Sequence, residues 1–322
     1  MVKRQILLAV GAPKLPKMRG LGFQKNLRTP WKFIIPSLIS CICVIISQFT
    51  LSMVPRYFPS FPLLVMLSYS VLLLLVIAAL SRICRRLLRI YASAPAFVFF
   101  NIFFIWAVHI SVIRKAVSLF TDIVVNAECA LLLVGFHRLV SYTYALPLSA
   151  EKFSDINFLI QNSFRTRRLR YCKCCKAYVR GFDHHCPAFG NCIGQNNHLL
   201  FMVLLVGFVM VEASYIVCSN QFITKSKIVD EPMLETTLSG NLAISTMLFA
   251  LLQVLWQVIF LIWHIYCVCV NIRTDEWINW KKYPEFQLVQ PQAGQSFPET
   301  MFINPYDKGV LGNIKEFLSL RK

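Results

Sequence analysis

Residues 123–136 read IVVNAECALLLVGF, an apolar run that is short for a membrane span and carries Asn126 and Glu128. Whether it crosses a bilayer sets the topology of everything around it. A helix needs about 20 predominantly apolar residues to cross the hydrocarbon core. Five other blocks are near that length: Phe33–Met53, Phe61–Leu80 and Ala96–Ile113 before it, Leu199–Ile223 and Leu242–Val270 after it. The weak run has room to begin earlier, near Val117. Lipid satisfies no open backbone polar groups, so such spans are expected as helices packed in a bundle. Pro36, near the start of the first span, is compatible with that.

The basic residues decide in favour of the weak run. With all six spans accepted, 28 of the 33 Lys and Arg fall on one side and 5 on the other. Dropping it would put the basic segment 137–198 opposite the basic segments 1–32 and 81–95. The richer side is expected in the cytosol. The chain is 57% hydrophobic and 15% charged, where soluble domains average about 45–50% and about 25%, which excludes an ordinary water-soluble fold. The net charge of +18 is then topology plus attraction to anionic headgroups. No aromatic-interleaved basic motif appears, so nucleic acid is not an expected partner. The apolar run Ile6–Val10 is too short for a secretory signal core.

The expected fold is an all-α polytopic membrane protein, with four transmembrane helices before a small cytosolic cysteine-rich domain and two after it. Its order is a cytosolic N-terminus (1–32), four spans (33–136), a cytosolic loop (137–198, core 170–198), two spans (199–270) and a cytosolic C-terminal region (271–322). Both termini and the active site are placed in the cytosol.

Five of the twelve cysteines lie in that loop: Cys172, Cys174, Cys175, Cys186 and Cys192. A reducing compartment disfavours disulfides, so metal binding or catalysis is the better reading. The spacing Cys172-x2-Cys175-x9-His185-x6-Cys192 supplies three thiolates and an imidazole, a common structural zinc set. A loop with no apolar core draws folding energy from such a metal. Cys186, His184 and Asp183 remain. A thiol attacks as the thiolate, an imidazole can take its proton, and a carboxylate can fix the imidazole tautomer. On residue chemistry alone, the competing reading is that all of them share metal duty.

The string Asp183-His184-His185-Cys186 resembles the DHHC family of protein S-acyltransferases (palmitoyltransferases). Asn191-Cys192-Ile193-Gly194-Gln195-Asn196-Asn197, with Phe201 after it, is similar to the family's tail of that motif. Beyond the last span, Arg273-Thr274-Asp275-Glu276 is similar to the TTxE motif with its first Thr replaced. Asn304-Pro305-Tyr306-Asp307-Lys308-Gly309, followed by Asn313, is similar to the family's C-terminal stretch.

The resemblance implies transfer of a palmitoyl or other long-chain acyl group from acyl-CoA, the co-substrate, to cysteine thiols of peripheral or integral membrane proteins. An acyl-Cys186 thioester is the implied intermediate, with His184 as base and Asp183 as its orienting carboxylate. Cys172, Cys175, His185 and Cys192 are implied as ligands of one Zn²⁺, and Thr274, Glu276, Asn197 and Asn313 as supporting positions. The implied setting is the endomembrane system. CoA phosphates would meet a basic face that offers Arg165, Arg167, Arg168, Arg170, Lys173 and Arg180. Each acyl CH₂ removed from water stabilises binding by about 0.8 kcal/mol, so the tail belongs inside the bundle.

The chain also departs from the family. Positions for a second zinc are occupied by Phe158, Gln161, Tyr171 and Tyr178, so one zinc per chain is expected, with Cys174 a spare thiol. Ala188 stands where the family has Trp, and Phe189 beside it is expected to assume part of its interfacial role. The DPG motif is absent from 141–145. The alternative function is a non-catalytic zinc-binding membrane scaffold of the same family. A ring-type ubiquitin ligase needs about eight ligands in cross-brace order, and four good ones are present. Within the spans, Glu128 and Glu212 are expected in interhelical hydrogen bonds, and Cys267 and Cys269 as buried thiols.

Overall fold

A computed structural model describes residues 31–89, 91–142, 168–228, 237–290 and 299–319. Six of its helices are long and apolar enough to cross a membrane. They comprise α1 (Trp31–Leu51), continued after a one-residue break by α2 (Met53–Tyr57), then α3 (Leu63–Leu88), α4 (Ala94–Ser111), α5 (Leu119–Ser141), α6 (His198–Ile228) and α7 (Leu238–Cys269). The chain is a multi-pass membrane protein, with four spans before the cysteine-rich segment and two after it.

The weak apolar run proves to be the middle of a full span. Helix α5 begins where the Ser118 side chain caps it, accepting from Thr121 N at 3.1 Å, and it continues five residues past Phe136. Composition concealed both ends. Asp122 in its first turn and His137 and Arg138 near its close look like loop residues, although acidic starts and basic ends suit a helix dipole.

Water-exposed folds hide their apolar surface, whereas Leu64 and Leu75 on α3 are 74% and 63% exposed. Such a face suits lipid. Polar contacts join the helices instead. Ser93, the cap of α4, exchanges hydrogen bonds with Ser40 of α1 at 2.8 and 2.9 Å, and Gln48 Nε2 donates to Asn101 Oδ1 at 3.2 Å. Interhelical bonds of this kind and small residues drive packing in lipid. Gly135 of α5 shows the second device, since a Cβ there would meet Leu204 of α6 at 2.7 Å. As expected for an intramembrane carboxyl, Glu212 of α6 accepts from Gln257 Nε2 of α7 at 3.1 Å. Glu128 Oε2 has no such bond among the described residues.

Three small antiparallel hairpins join this helical body: β1 (Leu169–Cys172) with β2 (Ala177–Arg180), β3 (His184–Cys186) with β4 (Asn191–Ile193), and β5 (Gln287–Gln290) with β6 (Glu299–Phe302). The first two form the cysteine-rich segment, and the third lies between α8 (Thr274–Asn279) and α9 (Val310–Ser319). Gly194 lets the first two approach, because a Cβ would stand 2.7 Å from Val179 Cγ1 and 2.9 Å from Arg180 O. The second hairpin is tied to the bundle by Asn191, whose Nδ2 donates to Leu139 O and Tyr142 O at the end of α5, at 3.0 and 2.6 Å. The ends of α5 and α7 and the starts of α4 and α6 therefore meet at one pole. Arg85 and Arg86 in the last turn of α3 and Arg138 in the last turn of α5 lie at the ends of the helices that lead there.

Candidate active site

Strand alternation divides the chemistry of the second hairpin. Successive side chains of a strand point to opposite faces, so His184 and Cys186 share one face of β3 and His185 takes the other. On β4, Cys192 lies directly opposite His185. Those two meet Cys172 and Cys175 from the first hairpin, and the four ligand atoms all lie within 4.8 Å of one another. Cys175 Sγ is 3.4 Å from His185 Nδ1 and 3.3 Å from Cys192 Sγ, which is 3.7 Å from the same imidazole nitrogen. Ligands about 2.0–2.3 Å from a tetrahedral zinc stand roughly 3.3–3.8 Å apart, so donor set and spacing both fit a metal ion. Burial and the charge on His184 hold His185 low, keeping its imidazole neutral as a ligand must be. Cys174 is exposed and lies outside the group.

On the opposite face, Cys186 is buried among the apolar side chains that close the bundle, Phe136, Phe189 and Phe201 in the same cluster. Asp183 Oδ2 accepts from His184 Nδ1 at 2.7 Å. Burial pulls the His184 imidazole down, but its hydrogen bonds to Asp183 and Cys186 and the charges of both overcome this and raise it to about 9. Burial would raise the Asp183 carboxyl. The His184 hydrogen bond and the fields of His198, His184 and Arg273 instead hold it far below the usual carboxylate range. The arrangement is a thiol, a strengthened base and a fully ionised orienter in sequence.

The supporting positions surround this group. Thr274 N donates to Asp183 Oδ1 at 3.0 Å, and Asp275 N donates to Asp183 O at 2.9 Å. Glu276 accepts from Arg273 N at 2.9 Å and pairs with Arg168 at 2.9 Å. Asn197 accepts from Gly194 N at 3.0 Å and donates to Cys192 O at 3.1 Å, turning the ligand strand into α6. Asn313 closes the end of α7, donating to Cys269 O at 2.7 Å. Arg273, in the place of the family's threonine, is buried and bonded to the His198 ring.

Phe189 is 4% exposed and packs in the cluster that holds Cys186, 5.4 Å from the Phe136 ring and 5.9 Å from Phe201. One expectation changes, that for Arg168 and Arg170, which are not free for phosphates. Arg168 lies over Tyr306 and pairs with Glu276, while Arg170 lies over Tyr283 and pairs with Glu285 at 2.5 Å. Lys173 and Arg180 are exposed, whereas Arg165 and Arg167 lie outside the described residues. At the second-zinc positions, Tyr171 and Tyr178 face each other across the first hairpin with rings 5.1 Å apart. Phe158 and Gln161 lie outside the described residues.

Sequence reasoning passed over His198 and His264, both fully buried at the mouth of the bundle. A histidine in a 32-residue membrane helix that holds no Asp, Glu, Lys or Arg, as at position 264, was the available signal.

The sequence around this site is similar to that of known proteins. Residues 157–281 match the DHHC palmitoyltransferase family model. Over 169 residues the chain is 26% identical to palmitoyltransferase ZDHHC17 of Mus musculus, covering 48% of this chain and 24% of that protein. It is 29% identical over 160 residues to palmitoyltransferase Hip14 of Drosophila melanogaster, covering 48% and 23%. With palmitoyltransferase akr1 of Neurospora crassa it is 38% identical over 69 residues, covering 21% and 10%. The match thus spans about a quarter of the length of the first two relatives and a tenth of the third. Over residues 157–281, which include the cysteine-rich segment, α6 and α7, the chain is therefore similar to DHHC palmitoyltransferases.

Proposed function

We propose that this protein is a protein S-acyltransferase. It takes a palmitoyl or similar long-chain acyl group from acyl-CoA onto Cys186 and passes it to cysteine thiols of membrane-associated proteins. The observation that carries the reading is the separation of Cys186 from the four metal-ligand side chains, together with its hydrogen-bonded partner His184.

His184 Nδ1 is engaged by Asp183, which leaves Nε2 for Cys186. With the Cys186 proton held on Nε2, the sulfur bonds to the acyl carbonyl carbon. The carbon–sulfur bond to CoA then breaks, and the CoA thiolate takes the proton from His184. In the second half an acceptor thiol gives its proton to His184 and attacks the acyl-Cys186 carbonyl. Cys186 leaves as thiolate, with that proton held on Nε2. Asp183 stabilises the imidazolium in both halves.

Cys172, Cys175, His185 and Cys192 would hold one zinc, which supplies folding energy to the two hairpins. Among the described residues, exposed Lys173 and Arg180 are basic groups available to CoA phosphates. In this reading the pole bearing the site faces the cytosol, as the distribution of Lys and Arg supports, and the host membrane belongs to the endomembrane system.

Labelled palmitoyl-CoA tests the reading. Wild type is expected to gain a hydroxylamine-sensitive label and Cys186→Ser to gain none. Full labelling of Cys186→Ser would reject the assignment. Metal analysis is expected to give one zinc per chain, and two would reject the single-site reading.

A further inference from the structure

His264 stands on α7 in a box of rings. Phe260 is 4.5 Å away, Phe201 5.0 Å and His184 5.7 Å, and the side chain is wholly buried. Phenylalanine would fill that box as well. A buried polar group without a hydrogen bond costs about 1–3 kcal/mol, and neither ring nitrogen of His264 has a partner among the described residues. The imidazole is therefore unexplained by packing alone.

Its surroundings point to one acceptor. His264 Nδ1 lies 3.9 Å from Asp183 Oδ2, the same oxygen that binds His184 Nδ1 at 2.7 Å. The other carboxylate oxygen is held by Thr274 N at 3.0 Å. A shift of about 1 Å would bring the His264 N–H to hydrogen-bond distance. Two imidazoles, from β3 and α7, then converge on Oδ2, so a membrane helix reaches the base of the cysteine-rich segment through one side chain.

We propose that His264 is a positioning residue, donating Nδ1–H to Asp183 Oδ2 so that the carboxylate keeps His184 aligned with Cys186. The inference rests on the acyltransferase reading above. It adds a control on the rate of the first half-reaction from the membrane bundle. His264 touches neither acyl group nor thiol, and its effect passes through Asp183.

Leu and Asn have nearly the same shape, and the Asn amide nitrogen overlays Nδ1 of histidine, so the pair separates the donor from the cavity. With full-length protein and labelled palmitoyl-CoA, His264→Leu is expected to slow acylation of Cys186 about tenfold and His264→Asn to stay within about threefold of wild type. The KM for palmitoyl-CoA and the zinc content should match wild type in both. Equal rates in the two variants, whether slow or fast, would overturn the inference, as would a loss in His264→Leu expressed only in KM. If His264→Leu fails to accumulate, His264→Asn carries the test alone, and a tenfold loss in it with zinc retained would overturn the inference. Absence of label on wild-type Cys186 would instead reject the acyltransferase reading.

Discussion

The bundle holds a buried histidine–aspartate pair at each end, and only one of them meets a thiol. At the site end, His184 Nδ1 and Asp183 Oδ2 are 2.7 Å apart. At the other end, roughly 20 Å along α4, His109 Nε2 and Asp122 Oδ1 are 3.1 Å apart. Each pair has an arginine in its field, Arg273 in the first and Arg114 in the second. The far pair is closed by structural bonds. Asn126 donates to Asp122 Oδ1 at 3.0 Å and accepts from Trp106 at 2.7 Å, which fastens α4 to α5. The near pair rests on a hairpin whose opposite face carries metal ligands, and its free imidazole nitrogen faces Cys186. The comparison teaches that a His–Asp pair is an element of stability or of chemistry according to what its second nitrogen meets.

Metal removal should divide the two ends most sharply. Structural zinc contributes about 10–16 kcal/mol of apparent binding free energy in small domains. Cys192→Ala, or a strong chelator, is therefore expected to abolish acylation and expose the hairpins to protease. The α4–α5 hairpin should keep its protection in hydrogen exchange. Loss of protection at both ends would show that the cysteine-rich segment supports the whole bundle.

Alanine at each histidine comes next. General base catalysis contributes about 10²–10⁴ in rate, so His184→Ala is expected to cost that much in Cys186 acylation. His109→Ala should leave the rate per folded molecule unchanged within about twofold. It should also lower thermal stability by about 1–3 kcal/mol, because it removes a buried hydrogen bond to Asp122 and leaves a cavity where the ring stood. A comparable rate loss in both variants would break the comparison.

Much of this could be read in the sequence, and the boundary has a physical cause. Six apolar runs betray six helices because lipid imposes composition residue by residue. The ligand spacing betrays the metal group because four donors on two tight turns are local features. Alternation along a three-residue strand explains why adjacent His184 and His185 take different roles, although the strand itself was not anticipated. The distant partners stayed hidden: His264, His198 and the Arg168–Glu276 pair are brought together by chain segments 66 to 108 residues apart. Arg168 in particular reads as a free basic residue until the fold supplies Glu276.

That ion pair gives an intermediate test at the site end. Glu276→Gln keeps an oxygen for Arg273 N but loses the charge that Arg168 requires. Leaving a partly buried arginine without its carboxylate should lower stability by about 1–3 kcal/mol, read as a fall in melting temperature, with zinc content unchanged. The acylation rate should fall as well, because α8 carries Thr274 and its bond to Asp183. A fall in stability with the rate untouched would separate α8 from the site.

The smallest effect lies in the two hairpins. The second is joined by the metal group to Cys172 and Cys175 at the tip of the first, and below Cys172, the last residue of β1, the first carries no member of that group on its strands. It has instead Tyr171 opposite Tyr178, two rings 5.1 Å apart and inclined at 61°. Edge-to-face pairs contribute about 0.5–1.5 kcal/mol beyond the area they bury, far less than a zinc ion, yet enough to hold the register of a four-residue ladder. A double-mutant cycle of Tyr171→Ala and Tyr178→Ala should therefore give a coupling energy in that range, measured by thermal unfolding. Zinc should remain at one per chain in all three variants, and acylation should hardly change, because the pair fixes a hairpin already clamped at its tip. A coupling near zero would mean that the metal group alone sets the register. A loss of zinc in the double variant would mean that the aromatic pair shapes the ligand cluster itself.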